Sequence, residues 1–173
     1  MKKILTLFAV IGLIAFSSCE GPEGPPGVPG TSANRVFELM NVDFGANSQD
    51  GFNISGTFNP ILADASTVLV YRLVGTIDAS TPIWQLIPIQ INISNNREIY
   101  YDYDFSKEDY KIYVRANYDL ETTAADFLDN QTFRIVLVPG SFTGKSVNKP
   151  DYSDYYDVIK RYNIDDSNVK KLN

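Results

Sequence analysis

The sequence predicts an all-β fold: an antiparallel β-sandwich of about seven strands with a short C-terminal helix, preceded by a signal peptide and an extended Gly-Pro-rich spacer. Three observations predict it. Beyond residue 35, apolar side chains recur at every second position in short runs. Asn, Asp, Gly, Pro and Ser cluster between those runs, where turns need them. Helical spacing is confined to one stretch near the C-terminus, so the strand–helix alternation of a parallel α/β fold is missing. The layout that follows is a signal peptide at 1–18, Cys19 and a spacer at 19–34, the sandwich at 35–148, and a helix with tail at 149–173.

Taken in order, the first strand places Phe37 and Leu39 on one side of Glu38 and continues through Val42 to Phe44. "NSQDG" at 47–51 supplies a turn. In "FNISGTF", Phe52, Ile54 and Phe58 share a face. "TVLVYRLV" at 67–74 is apolar almost throughout, the mark of a central strand. "IWQLIPIQINI" at 83–93 alternates around Pro88, which marks an edge or a bulge. After the turn "SNN", "EIYYDYDF" puts Ile99, Tyr101, Tyr103 and Phe105 on one face, with Tyr100, Asp102 and Asp104 on the other. "KIYVRANY" aligns Ile112, Val114 and Ala116. "LETTAADFLDN" is a connection with room for one helical turn, and "TFRIVLV" at 132–138 is the last clear strand, stopped by Pro139 and Gly140. Tyr155, Val158, Ile159 and Tyr162 then recur at helical spacing within 151–164, with Ser153 or Asp151 as the cap. That helix is expected to dock on the sandwich and cover an open end; a partner-binding helix is the alternative.

The first residues, "MKKILTLFAVIGLIAFSS", join a basic start to an apolar run from Ile4 to Phe16. The run falls short of the roughly 20 residues of a membrane span and has the order of a secretory signal. An uncleaved anchor is the other reading. Cys19 is the chain's one cysteine, so it has no partner for an internal disulfide. A free exposed thiol is a reactive liability in an exported protein.

Gly21, Gly24, Gly27 and Gly30 recur at every third residue, the collagen period. Three triplets bury too little to hold a trimer against its entropy. The segment instead reads as a stiff extended single-chain spacer that would lift the domain by up to about 45 Å, with a transient trimer through the triplets as the minor alternative.

These features carry a resemblance. Phe16, Ser17, Ser18 and Cys19 resemble the lipobox of bacterial lipoproteins, with Phe16 where that family prefers leucine. Together with "CEGPEGPPGVPG", "STVLVYRLVG", "IWQLIP" and "NQTFRIVLVPGSF", the chain resembles the small collagen-like lipoproteins of Flavobacteria and related Bacteroidota, from Cys19 to about residue 165. The resemblance implies diacylglycerol on the Cys19 thiol, cleavage before that residue, and a place in the cell envelope at the outer membrane. Glu20 and Glu23 resemble a diluted surface-export signal of that group. The family brings no biochemical activity with it.

Charge and residue usage exclude several function classes. The formal net charge is −6, and removal of Lys2 and Lys3 with the leader makes it two units more negative. That argues against nucleic-acid binding and against anionic membrane surfaces. There is no histidine, so Ser-His-Asp and Cys-His catalysis are excluded. Carboxylate pairs could still carry out hydrolysis without histidine, but no catalytic residue, metal or cofactor is expected. Asp102, Asp104, Ser106 and Glu108 alternate as potential calcium ligands but lack the glycine of a calcium loop, so solvated carboxylates are the expectation. Asp165, Asp166 and Asn168 form a weaker cluster of the same kind. Asn53, Asn92 and Asn130 begin N-x-S/T triplets that carry no meaning in a bacterial chain.

Eleven tyrosines are the most distinctive chemistry. Tyr71, Tyr100 and Tyr113, on outward strand faces with Trp84, would make a platform for a sugar or a protein; cross-strand packing is the competing role. The expected function is a non-enzymatic, membrane-anchored envelope lipoprotein whose sandwich binds a protein or glycan partner. A structural envelope component without a ligand, and a small hydrolase using paired carboxylates, are the alternatives.

Overall fold

The computed structural model describes residues 35–45, 51–139 and 151–172. The leader, Cys19, the spacer to residue 34, most of the expected 47–51 turn and residues 140–150 lie outside the described residues. The strands are β1 (Val36–Val42), β2 (Asn53–Thr57), β3 (Thr67–Asp78), β4 (Thr81–Leu86), β5 (Ile89–Ser94), β6 (Arg97–Phe105), β7 (Asp109–Ala116), β8 (Gln131–Val138) and β9 (Lys170–Lys171). Two helices accompany them, the single turn α1 (Ala125–Leu128) and α2 (Tyr155–Arg161).

The strands form two sheets, β4-β3-β8-β1-β9 and β2-β7-β6-β5. The all-β sandwich with a short helix is thus the fold. All pairings are antiparallel except β1 with β9, where Phe37 lies opposite Lys170 and Glu38 opposite Lys171. The expected seven strands become nine among the described residues. One candidate, 83–93, is two strands: the chain leaves the five-stranded sheet after Leu86 and enters the four-stranded sheet at Ile89. Pro88 lies at that crossing. The other addition, β9, is two residues long and has no periodicity of its own. β1 stops at Val42, after an irregularity at which Asn41 takes φ 52°. Phe44 stays buried beyond the strand end, its N–H donating to the Leu128 carbonyl at 2.8 Å.

Alternation explains the inner layer. Val68 and Val70 of β3, Ile99 and Tyr101 of β6, and Ile112 and Val114 of β7 all face the space between the sheets. Phe44 meets Phe133 and Tyr101 edge-on, at ring-centre distances of 5.9 and 6.4 Å. Such geometry suits the aromatic quadrupole. The same strand β3 buries Leu69 and Tyr71 on its other face, because α2 covers that side. A strand covered on both faces reads as a continuous apolar run, which accounts for "TVLVY". The tyrosines packed into the two layers keep their hydroxyls bonded: half-buried Tyr103 donates to the Val68 carbonyl at 2.9 Å and buried Tyr71 to the Tyr152 carbonyl at 2.7 Å.

The C-terminal helix corrects one expectation. It docks on the sandwich as expected, but on the outer face of the five-stranded sheet, where its Tyr156 reaches edge strand β4. Tyr155 and Val158 pack there with Val36, Tyr71, Trp84 and Val136. Its cap is also different. Asp154 caps the helix, its Oδ1 accepting from the Asp157 N–H at 3.0 Å, whereas Asp151 closes a turn with Ser153. The helix ends with Asn163 at φ 47° and with Ile164 N–H reaching back to the Ile159 carbonyl at 2.9 Å. That is the left-handed stop for which asparagine is suited. Asn95 and Asn96, at φ 50° and 60°, make the tight β5–β6 turn by the same freedom.

Candidate functional site

The two outer faces of the sandwich differ. On the five-stranded sheet α2 seals an apolar layer. On the four-stranded sheet no described element packs across the strands, and the outward side chains are polar or aromatic. Alternation and register determine which ones they are. Tyr100 on β6 lies opposite Arg115 on β7, and Asp102 opposite Tyr113. These four form a two-by-two block. Asn53 on β2 extends one row beyond Tyr113, and Asp104 and Lys111 make the next row.

The block is cross-linked. Arg115 Nη2 donates to Asp102 Oδ2 at 2.6 Å, and its guanidinium carbon stands 5.4 Å from the Tyr113 ring centre. Tyr100 donates its hydroxyl to Glu98. That bond, with a smaller contribution from desolvation, holds the Tyr100 phenol above its ordinary pKa. Desolvation and then the charge of Asp102 raise that of Tyr113. Both phenols stay neutral donors at physiological pH. Such a face offers two aromatic rings, a guanidinium and carboxylates on one sheet surface, the groups that stack on and hydrogen-bond to a sugar ring. The same pairs also stabilise the sheet as cross-strand contacts.

The expected tyrosine platform is therefore only half assembled. Tyr100 and Tyr113 share the open face. Tyr71 and Trp84 do not: Tyr71 is fully buried and Trp84 nearly so, both beneath α2 in the outer layer of the other sheet. They point outward from their sheet, as alternation requires, but a later segment covers them. Arg115 belongs to the block and was missed in the sequence, although its two-residue spacing from Tyr113 put it on that face.

The acidic candidates scatter. Asp102 is paired with Arg115; Ser106 bonds Asp109; Asp165 accepts from Ser167; Asp166 accepts from the Tyr155 hydroxyl. Among the described residues, no group of three or more His, Cys, Asp or Glu side chains is placed to hold a metal ion. Asn53 and Asn92 lie on β2 and β5, and Asn130 holds φ 53° just before β8. Cys19 lies outside the described residues.

A cleft of about 530 Å³ opens between the β1 and β2 sides of the sandwich, with Leu39, Val42, Ile54, Tyr110 and Leu172 as its apolar lining and Asn41 and Thr57 among its polar groups. One further charged group is internal: Arg72 is only 8% exposed, lies 4.3 Å over the Tyr101 ring, and bonds Gln131 at 2.8 Å.

No protein-family model, no curated protein and no solved structure matches the chain.

Proposed function

We propose that this chain is an exported, non-enzymatic envelope lipoprotein, tethered at the outer membrane through acyl groups on Cys19, whose sandwich binds a glycan on the outer face of the four-stranded sheet. One observation carries the binding half of this reading: the asymmetry between a face sealed by α2 and an open face bearing Tyr100, Asp102, Tyr113 and Arg115. The tethering half rests on the leader, the lone cysteine and the lipobox resemblance. An open sheet surface suits an extended polymer better than a small solute, which needs a concave pocket. Paired guanidinium and carboxylate groups supply directional bonds, and the tyrosines supply stacking area.

Two measurements test it. Palmitate labelling of cells expressing the full chain should mark the wild type and leave Cys19→Ala unmarked and released from the membrane fraction. The detergent-purified full chain should bind at least one member of an immobilised envelope-polysaccharide panel. Tyr100→Ala combined with Tyr113→Ala should weaken that binding by about tenfold, the size expected for two lost stacking contacts, while the circular dichroism spectrum is kept. Equal labelling of Cys19→Ala removes the anchor. Binding by the double variant as tight as wild type, or no binding by the wild type to any member, removes the glycan site.

A further inference from the structure

The four-stranded sheet ends on β5, and no described strand lies beyond it. Pairing decides which backbone groups face that open side. Asn117 N–H donates to the Glu98 carbonyl, and Ser106 N–H to the Asp109 carbonyl. Even-numbered residues of β6 therefore direct their backbone groups to β7 and odd-numbered ones to β5. Ile89 lies opposite Tyr101 and Ile91 opposite Ile99. The backbone of Ile89 and Ile91 is thus engaged with β6, and that of Gln90 and Asn92 points away from the sheet. The side chains alternate as well. Ile89, Ile91 and Ile93 pack half-buried at the margin of the inner core, and Gln90 and Asn92 are exposed on the opposite face.

Two of the other edges are blunted by devices that β5 lacks. On β4, Pro82 has no N–H, and its carbonyl accepts from the Tyr156 hydroxyl at 3.0 Å. β9 consists of two lysines. β5 holds no charge, no proline and no glycine. It sits within 79–96, where no side chain is charged, in a chain with 21% charged residues.

We propose that β5 is a self-association edge, on which two copies of this chain pair antiparallel about a two-fold axis at Ile91. A second copy fits because Ile89 to Ile93 reads Ile-Gln-Ile-Asn-Ile, the same apolar–polar alternation from either end. With Ile91 opposite its own copy, Gln90 of each chain faces Asn92 of the other, and both pairs exchange backbone hydrogen bonds. The isoleucines then meet on the core side and the amides on the outer side. Copies of an acidic chain repel one another, and an uncharged strip is where they approach at least electrostatic cost. The two four-stranded sheets become one continuous sheet of eight. This pairing goes beyond the glycan reading and does not depend on it.

The test is the mass of the detergent-purified full chain by sedimentation at tens of micromolar protein, corrected for bound detergent. The wild type should sediment as two chains. Gln90→Lys with Asn92→Lys puts like charges across both pairs and should give one chain. Gln90→Lys with Asn92→Glu puts opposite charges across them and should restore two. Should the lysine pair fail to fold, a second variant decides: in the full chain carrying Cys19→Ala, Gln90→Cys with Asn92→Cys should oxidise to a dimer linked between positions 90 and 92, since paired Cα atoms about 5.5 Å apart suit a disulfide. A monomeric wild type, an oligomer that the two lysines leave intact, or the absence of that cross-link overturns the proposal.

Discussion

Arg134 ties the last long strand to the C-terminal helix: its Nη1 donates to the Tyr155 hydroxyl at 2.6 Å. The same guanidinium donates from Nε to Glu38 on β1 at 2.9 Å and lies 4.5 Å over the Trp84 ring. The Tyr155 hydroxyl in turn donates a hydrogen bond to Asp166 at 2.8 Å. One side chain on β8 thereby joins β1, β4, α2 and the segment leading to β9.

This hub should dominate the stability of the outer layer. The Arg134 and Glu38 side chains are only 16% and 15% exposed, so water compensates little when one is removed. Arg134→Ala should cost about 3–5 kcal/mol, as for other broken buried pairs. Arg134→Lys should recover little, because an ammonium cannot serve both acceptors and the ring. Tyr155→Phe, which removes one hydroxyl, should cost about 1–2 kcal/mol. Urea unfolding of the three variants checks the order; a lysine variant as stable as wild type would contradict it.

Arg72 and Gln131 should behave as a unit. Burial lowers the Arg72 pKa, yet arginine stays charged. Gln131→Leu leaves that guanidinium without its Nε partner and should cost about 1–3 kcal/mol. Replacing both, Arg72→Met with Gln131→Leu, should cost less than the two single changes together. A double-mutant cycle in urea measures this, and strict additivity would show the pair to be uncoupled.

Gly56 is a glycine for a packing reason. It lies opposite Tyr110 across β2 and β7. A Cβ added there would come within 2.6 Å of the tyrosine Cζ and 2.8 Å of Cε1. Tyr110 is buried against Phe58, ring centres 5.4 Å apart, so its ring has little room to yield. Gly56→Ala should destabilise by about 1–3 kcal/mol. Tyr110→Leu in the same chain should absorb part of that loss, read as a thermal midpoint above the additive value.

Alkaline pH should unfold the protein before its buried tyrosines ionise freely. Burial raises the phenol pKa of Tyr71, Tyr101, Tyr103, Tyr110 and Tyr155. Burial and then the hydrogen bond with Tyr152 push Tyr162 up to about 12. In an unfolded chain tyrosine titrates near pH 10. The folded values lie above the unfolded one, so this stability is complete below about pH 10 and is lost as pH climbs from there through the folded values. At the acid end, hydrogen bonds hold Asp64, Asp78, Asp151 and Asp165 below the usual value, which makes their contribution disappear as pH falls through that range. With no histidine, stability should be nearly flat from about pH 6 to 9. Tyrosinate absorbance and circular dichroism against pH check this. Absorbance of the buried tyrosines completing near pH 10 with the spectrum intact would refute it.

Much of the inner layer was legible in the sequence. Period-two spacing identified Ile99, Tyr101, Ile112 and Val114 as inward, and Tyr100 and Tyr113 as outward, because alternation is a property of each strand alone. It failed where a strand depends on distant partners. Pro88 announced an interruption in 83–93 but carried nothing about the change of sheet. Tyr71 and Trp84 pointed outward as read, and only the return of α2 turned that outward face into a core. β9 exists because Lys170 and Lys171 meet the β1 edge, and two residues show no periodicity.

The sequence by itself determined the class of fold, the faces of most strands, the tight turn at Asn95 and Asn96, and the helical stretch around Tyr155. Each rests on geometry within a few neighbouring residues. The tertiary structure alone decided which strands share a sheet, which outer face stays open, and which charges become internal. Those outcomes depend on pairings between residues far apart in the chain, such as Arg72 with Gln131 and Glu38 with Arg134. Local pattern says which way a side chain points; only the folded chain says what meets it there.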